Sequence, residues 1–293
     1  MTLLIITGPT ASGKSTFAIR LAQQLNGEIV SADSMQIYRE CNIATAKPTA
    51  QEQQLIPHHL IDIIDPTVRF SAAMWAEMAR EVIAQIHQRG KTPIVVGGTG
   101  FYLRALLQPE TLAQVSPNAA LRAELEQLDN HALWEKLIQV DAEAAGRLQP
   151  QNTKRVIRAI EVALGEKVLL PEMPEISYKA YGLEWPRDVL YGRINARVDE
   201  MMVQGLMDEL RYLTEKYGRD APALDGIGYK EMLPALDDPE LLETQTEKLK
   251  QATRRYAKRQ MTWFRHQLDV EWLDAEKSTF KAVILAKAGI QET

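Results

Sequence analysis

Eight residues near the amino terminus, GPTASGKS from Gly8 to Ser15, restrict what can surround them. The pattern G-x-x-x-x-G-K-[ST] works where a strand delivers a glycine-rich turn to the start of a helix. Backbone N–H groups, the positive end of the helix and the lysine then converge on an anion. The flanks agree: Leu3 to Ile6 is a short apolar run ended by Gly8, and TFAIRLAQQL has apolar residues at helical spacing. A second strand follows in GEIVSAD, with Asp33 at its carboxyl end. A third, TPIVVGGTG, comes after the amphipathic segment SAAMWAEMAREVIAQIHQRG, whose last glycine suits a helix C-cap. Strands alternating with helices predict an α/β fold: a P-loop-containing parallel sheet flanked by helices, with ligands in the crevice at the strands' carboxyl ends.

From about Ala113 to Ser177 the texture changes. NAALRAELEQL, HALWEKLIQVDAEAAGRL and NTKRVIRAIEVALG read as helices with no strand between them, and KAYGLEW then reads as a returning strand. This predicts a P-loop core over 1–112 and 178–293, carrying a helical insertion domain over 113–177, with VLLPEMPEISY as the junction. A chain of 293 residues has room for one large domain with such an insert. The single cysteine, Cys41, excludes an internal disulfide, and neither it nor the pair His58-His59 has partners at zinc spacing. The start of the chain lacks a charged and then apolar leader, and no window approaches the roughly 20 apolar residues of a membrane span. The expectation is a cytoplasmic protein with no membrane partner. A net charge of −5 argues against indiscriminate nucleic-acid binding, although a net value hides local clusters.

Gly8, Pro9, Thr10, Ala11, Ser12, Gly13, Lys14 and Ser15 therefore make a phosphate site, with Ser15 placed to ligate Mg²⁺. Asp33 shares that edge of the sheet. It can take a proton from an attacking hydroxyl or amine, or merely cap the turn in SADSMQIY. Gly97-Gly98-Thr99-Gly100 stands where an NTPase carries the aspartate that organises Mg²⁺ and water, which weakens a hydrolase reading. Thr99 can hydrogen-bond a leaving-group oxygen or simply serve the turn. Lys248 to His266 carries seven Lys or Arg and no acid, with Arg254, Lys258 and Arg265 on one helical face and Tyr256, Trp263 and Phe264 interleaved. Such a face suits a nucleic-acid backbone or a solvated surface, and the aromatics can equally face the core. Lys154, Arg155 and Arg158 form a second basic cluster.

In order along the chain, GPTASGKS, SADSMQIYRECNIATAKPT, PHHLIDIIDP, FSAAMWAEMA, GKTPIVVGGTGFYLRALL, KRVIRAIEV, LDGIGYKEM and RRYAKRQMTWFR resemble the tRNA dimethylallyltransferases, also called tRNA isopentenyltransferases. A P-loop alone is unspecific, whereas DSMQIY, IATAKP, VGGTGFY and AKRQMTWFR are highly specific. The resemblance implies that the opening loop holds the diphosphate of dimethylallyl diphosphate with Mg²⁺. It implies transfer of the dimethylallyl group to N6 of adenine 37 beside the anticodon. Asp33 would orient the amine and take its proton; Lys14, the loop N–H groups and Thr99 would stabilise the departing diphosphate. An arginine should help from GRINARVDEM, where Arg193 and Arg197 share a helix face and sequence does not choose between them. The base must be extruded from its stack. By resemblance Asp33, Ser34, Met35 and Gln36 meet it, while the KRVIR stretch and Asp225 to Lys230, including Gly228, Tyr229 and Lys230, contact the tRNA anticodon stem-loop. The insert would grip the loop from its other side. Two places depart from the family pattern: QPETLAQVSPN lacks the usual glycine-rich character, and residues 282–293 match nothing.

Three rivals remain at this point. In a small-molecule P-loop kinase the same loop would hold ATP, but GGTG and the basic carboxyl-terminal helix count against it. An adenylate isopentenyltransferase would use the same donor on a free nucleotide, which needs no insert and no two basic clusters. A non-catalytic RNA-binding protein is at odds with intact Lys14, Ser15, Asp33 and Thr99. No stripe marks a subunit interface, so a monomer is expected.

Overall fold

The computed structural model describes residues 3–111, 115–116, 118–166 and 176–276. The chain divides into two compact units, Met1–Leu107 with Glu175–Thr293 and Gln108–Pro174. The junction VLLPEMPEISY lies largely outside the described residues, as do part of QPETLAQVSPN and the whole of 282–293.

The first unit is built on six strands, all parallel: β1 (Leu3–Thr7), β2 (Gly27–Ser31), β3 (His58–His59), β4 (Thr92–Val96), β5 (Tyr178–Glu184) and β6 (Glu271–Asp274), in the order β3-β2-β4-β1-β5-β6. β1 reads LLIIT and is buried throughout, as befits a central strand covered on both faces. The predicted strands are present. β3 and β6 were not anticipated, because two residues, HH, and four, EWLD, carry too little period to be seen.

Helix α1 (Lys14–Gln24) covers one face and packs Phe17, Ala18 and Leu21 against Leu4, Ile6, Ile94 and Tyr181. After the short α2 (Ala50–Leu55), α3 (Ala72–Gln88) starts at a Ser71 side chain that accepts the Met74 N–H and passes into Gly90 at φ +70. Its Trp75 is fully buried, donates to Ser31 O at 3.0 Å and stacks on Tyr102 of α4 (Gly100–Leu107) at 4.7 Å.

The second unit is helical among its described residues: α5 (Ala119–Leu125), α6 (Asn130–Val140), α7 (Ala142–Arg147) and α8 (Thr153–Leu164). HALWEKLIQVDAEAAGRL is two helices rather than one, broken at Asp141, which ends α6 and whose carboxylate caps α7 by accepting the Ala144 N–H at 2.8 Å. Leu125, Leu133, Leu137, Val156, Ile157 and Ile160 form its apolar core. The chain then returns through β5 to α9 (Arg187–Val203), α10 (Leu206–Tyr217), α11 (Leu233–Asp237) and the long α12 (Leu242–Gln267).

Glu28 sits at the amino end of β2 with its carboxylate 4% exposed, ringed by His59 at 2.6 Å, Arg89 at 2.7 Å and Lys91 at 2.8 Å. Burial pushes its pKa up, but the hydrogen bonds from Lys91, His59 and Arg89 outweigh that and hold it down at about 2. Glu28→Gln is expected to cost about 2–4 kcal/mol at neutral pH, because Arg89 and Lys91 then lose their shared anion and the His59 ring its carboxylate partner. A depressed carboxylate contributes stability above its unfolded pKa and loses it as pH falls through the folded one. The gap between wild type and variant should therefore close from about 4.5 down to about 2. Denaturant melts across that range check this, and a pH-independent gap would contradict it.

Candidate active site

Three loops leave the carboxyl ends of β1, β2 and β4, neighbours in the sheet, so residues 8–15, 32–36 and 97–100 arrive at one edge. Thr7 Oγ1 donates to Gly97 O at 3.0 Å and ties the first loop to the third. In the first loop Gly8, Ala11 and Gly13 have φ of +140, +62 and +88, and Gly13 is the left-handed N-cap of α1. The tertiary structure fixes the carbonyls of this turn. Arg193 Nε of α9 donates to Ala11 O at 2.9 Å, and Trp185 Nε1 donates to Ser12 O at 2.9 Å. The Arg193 guanidinium lies 4.5 Å over the Trp185 ring. Within the loop the Thr10 N–H is taken by Gln260 Oε1 at 2.9 Å and the Ser12 N–H by Pro9 O at 3.3 Å, and Ser12 Oγ is buried without a hydrogen-bond partner among the described residues.

Lys14 Nζ donates to Pro9 O at 3.3 Å and lines a small cavity with Thr10, Ser15, Asp33, Gln36 and Arg197. Burial lowers the Lys14 pKa to about 8; the positive charge of Arg197 adds to the depression and Asp33 opposes it. Arg197 is likewise pushed down, by burial first, while Asp33 and Glu200 pull it up. Unlike Arg193, Arg197 makes no hydrogen bond or ion pair within the described residues. Two half-buried cations side by side make this an electropositive recess ready for a multiply charged anion. On one side it opens to a cavity of about 1,000 Å³ bounded by Lys14, Ser15, Arg193 and Arg197 and by Lys47 to Ala50 and Glu52 to Gln54.

Asp33 serves in both ways that the sequence allows. Its Oδ1 accepts the N–H groups of Met35 at 2.8 Å and Gln36 at 3.3 Å, capping the turn, and no hydrogen bond from the described residues falls to Oδ2. It lines both the small cavity and a third of about 260 Å³, which Ser34, Met35, Thr45, Gly226, Gly228, Lys230 and Tyr256 also bound. Gln36 is turned away: Ser31 Oγ donates to its Oε1 at 3.0 Å, and its Nε2 donates to Thr45 O and Ala46 O. Thr99 Oγ1 accepts the Ser34 N–H at 3.0 Å and lies 3.3 Å from Ser34 Oγ.

The basic carboxyl-terminal helix is a core element on one side. Phe264 is fully buried, and Trp263 packs so close to Gly100 that a Cβ there would fall 2.4 Å from its ring. Gln260 is buried, accepts the Thr10 N–H at 2.9 Å and donates to Gly98 O at 2.9 Å, bridging the first and third loops. Tyr256 faces Asp33 and Thr99. Neither Gln260 nor Trp185 was singled out from sequence, because a lone Gln in a basic run and a Trp after a strand carry no local signal. Arg254 is held by Asn195 Oδ1 of α9 and Arg265 by Glu184, while Lys258 is exposed.

In the second unit Arg158 is committed inwardly, to Glu161 at 3.3 Å and Val115 O at 2.6 Å, beside the bidentate Arg122–Glu161 pair. Lys154 and Arg155 are exposed. In the segment Asp225 to Lys230, Tyr229 is fully buried and donates to Glu209 at 2.7 Å, so its backbone and Lys230 are what it presents outward. Cys41 is buried, its thiol pushed up to about 11 by burial. His58 Nδ1 donates to Ile56 O at 2.7 Å, and His59 belongs to the Glu28 cluster.

The geometry defines an α/β protein with one polar recess at the carboxyl edge of a parallel sheet, cationic on one wall and bearing a half-bonded carboxylate on the other. The family model for IPP transferase matches residues 36–267. The chain is 46% identical over 281 residues to a tRNA dimethylallyltransferase of Levilactobacillus brevis, covering 93% of this chain and 92% of that one. It is 44% identical to another from an Exiguobacterium strain, over 95% and 92%. Among solved structures, the tRNA isopentenylpyrophosphate transferase of Bacillus halodurans superposes with a TM-score of 0.74 at 42% identity, over 98% and 95% of the chains. A eukaryotic dimethylallyltransferase acting on tRNA superposes at 0.81 with 28% identity, over 99% and 80%. The chain belongs to the IPP transferase family, the tRNA dimethylallyltransferases, and is a prenyltransferase.

Proposed function

We propose that this chain transfers the dimethylallyl group from dimethylallyl diphosphate to N6 of adenine 37 in tRNA, giving N6-(dimethylallyl)adenosine and diphosphate. The observation that carries the reading is the adjacency of two spaces on either side of Asp33. One is the cationic recess of Lys14 and Arg197; the other is the 260 Å³ cavity, whose walls contain 34–35 and 226–228.

In this reading the diphosphate lies on the N–H groups at the start of α1, from Gly13 to Ser15, with Lys14 and Arg197 against its charge and the unpartnered Ser12 hydroxyl as a further donor. The N6 lone pair is delocalised into the purine and attacks weakly. Asp33 Oδ2 accepts one N6 proton as the N6–C1 bond forms and the C1–O bond breaks, the bonding pair leaving with diphosphate. Oδ1 keeps the carboxylate in place through Met35 and Gln36. Thr99 positions Ser34 by accepting its N–H, and its hydroxyl, 3.3 Å from Ser34 Oγ, would have to leave that partner to reach the leaving oxygen.

Mg²⁺ fits the donor set: Ser15 and Asp33 supply hard oxygens, no cage of three or more His, Cys, Asp or Glu exists among the described residues, and a cation held mainly by diphosphate and water needs none. Bound there, it would neutralise charge on the departing diphosphate. Lys154, Arg155, Lys230 and Lys258 offer exposed cations for the anticodon stem-loop, and the second unit would grip the loop. No helix among the described residues is long and apolar enough to cross a membrane, in keeping with a cytoplasmic enzyme. Both spaces lie within one chain, in keeping with a monomer.

Transfer of radiolabel from dimethylallyl diphosphate to an unmodified anticodon stem-loop, with AMP and labelled ATP in parallel, tests the reading. Label in the RNA alone supports it; label on AMP moves the acceptor, and ATP consumption without prenyl transfer overturns the donor. The pH profile carries a second expectation. Lys14 is charged below about 8 and neutral above, so kcat/KM for the donor should fall above pH 8, and Lys14→Arg should remove that limb. A flat profile to pH 9.5 in the wild type would disconnect Lys14 from donor binding.

A further inference from the structure

Glu209 of α10 touches none of the recesses above, yet its carboxylate is engaged from four sides. It accepts the backbone N–H groups of Asn42 at 2.9 Å, Ile43 at 2.8 Å and Ala44 at 3.3 Å, and the Tyr229 hydroxyl at 2.7 Å. Three consecutive N–H groups turned to one point would otherwise be an anion nest, and here an internal carboxylate fills it. The two partners belong to separate segments, 42–44 and 228–230, which meet where Gly228, at φ +109, leaves no room for a side chain: a Cβ would fall 2.7 Å from the Ala44 Cβ. Ala44 and Thr45 from one segment and Gly226 to Gly228 from the other line the 260 Å³ cavity beside Asp33. Because the two segments touch at Gly228 and Ala44, a displacement of either one changes the shape of this cavity.

We infer that Glu209 is a positioning residue that clamps segment 42–44 to segment 228–230 and thereby sets the width of the cavity that receives the acceptor base. This rests on the acceptor side of the function proposed above and says nothing of the donor side. The recess of Lys14 and Arg197 is held by different contacts, those of Arg193, Trp185 and Gln260. None of 42–44 lines that recess, although Asn42 and Ile43 border the wider cavity onto which it opens, so loosening the clamp should act on the acceptor side far more than on the donor side.

Glu209→Gln separates them. Both carboxylate oxygens accept N–H groups, so an amide must set its own N–H against a backbone donor, and the clamp opens without a change of size. The expected result is a rise of about tenfold or more in KM for the stem-loop RNA, with KM for dimethylallyl diphosphate and affinity for inorganic pyrophosphate within twofold. The amide protons of 42–44 should exchange faster while the thermal midpoint holds. Tyr229→Phe removes one strand of the clamp and should raise the same KM by about threefold; it serves if Glu209→Gln fails to fold. An unchanged RNA KM in both variants, equal losses on the donor and RNA sides, or unchanged amide exchange would overturn the inference. Should the wild type transfer no prenyl group, the functional reading falls by itself, and exchange and RNA binding in the variants still decide the clamp.

Discussion

Asp33→Asn is expected to lower prenyl transfer by about 10³-fold while stem-loop affinity stays within a few-fold of wild type. The substitution is chosen from the geometry. Oδ1 accepts the N–H groups of Met35 and Gln36, and an asparagine oxygen can keep both bonds, so the turn that carries Ser34 and Met35 survives. What is lost is the oxygen to which no hydrogen bond from the described residues falls, the one available to take a proton from N6. Asp33→Ala would remove cap and base together and could not separate them. Single-turnover transfer measured beside RNA binding makes the distinction: a small loss of rate would remove Asp33 as the base, and a parallel loss of RNA affinity would mean that the turn had moved.

The second large effect is expected at Arg197. Sequence offers Arg193 and Arg197 as equals, four residues apart on α9, but their surroundings differ. Arg193 has its Nε committed to Ala11 O and its guanidinium stacked on Trp185, so it shapes the loop before any ligand arrives. Arg197 is half-buried beside Lys14 with no hydrogen bond among the described residues, and its charge lowers the affinity of Lys14 for its proton. A diphosphate relieves that repulsion, and more so as charge grows on it during C–O cleavage. Arg197→Gln should therefore lower kcat/KM for the donor by about 10²- to 10³-fold, mostly in kcat, whereas Arg193→Gln should act by about tenfold and mainly on donor KM. Arg197→Gln with an unaltered kcat would place that arginine outside the reaction.

Much of the donor half of the site was legible in the sequence because its geometry is local. The spacing within GPTASGKS puts two glycines and a lysine around the start of a helix, and the strand before it is an unbroken apolar run. The same holds for Asp33 and for Thr99, each placed at an edge by the strand that precedes it. The segments around the acceptor cavity were legible as motifs but not as roles. IATAKP and GIGYK carried the family resemblance, yet nothing in either announces that Glu209, about 170 residues after the first, holds them together. The basic helix shows the opposite error of emphasis. Its charges drew attention to one face, while Gln260, Trp263 and Phe264 on the other join the loops of the site.

The sequence by itself determined the α/β order, the phosphate-type loop and the carboxylate beside it, because hydrophobic period, glycine placement and helix starts act over a few residues. Only the tertiary structure decided which of two arginines is committed to the loop, that Tyr229 is buried, and that Thr10 is held from α12, 250 residues away. Those outcomes depend on which polar groups find a partner once water is excluded, and that is fixed by packing among distant elements rather than by any neighbour along the chain.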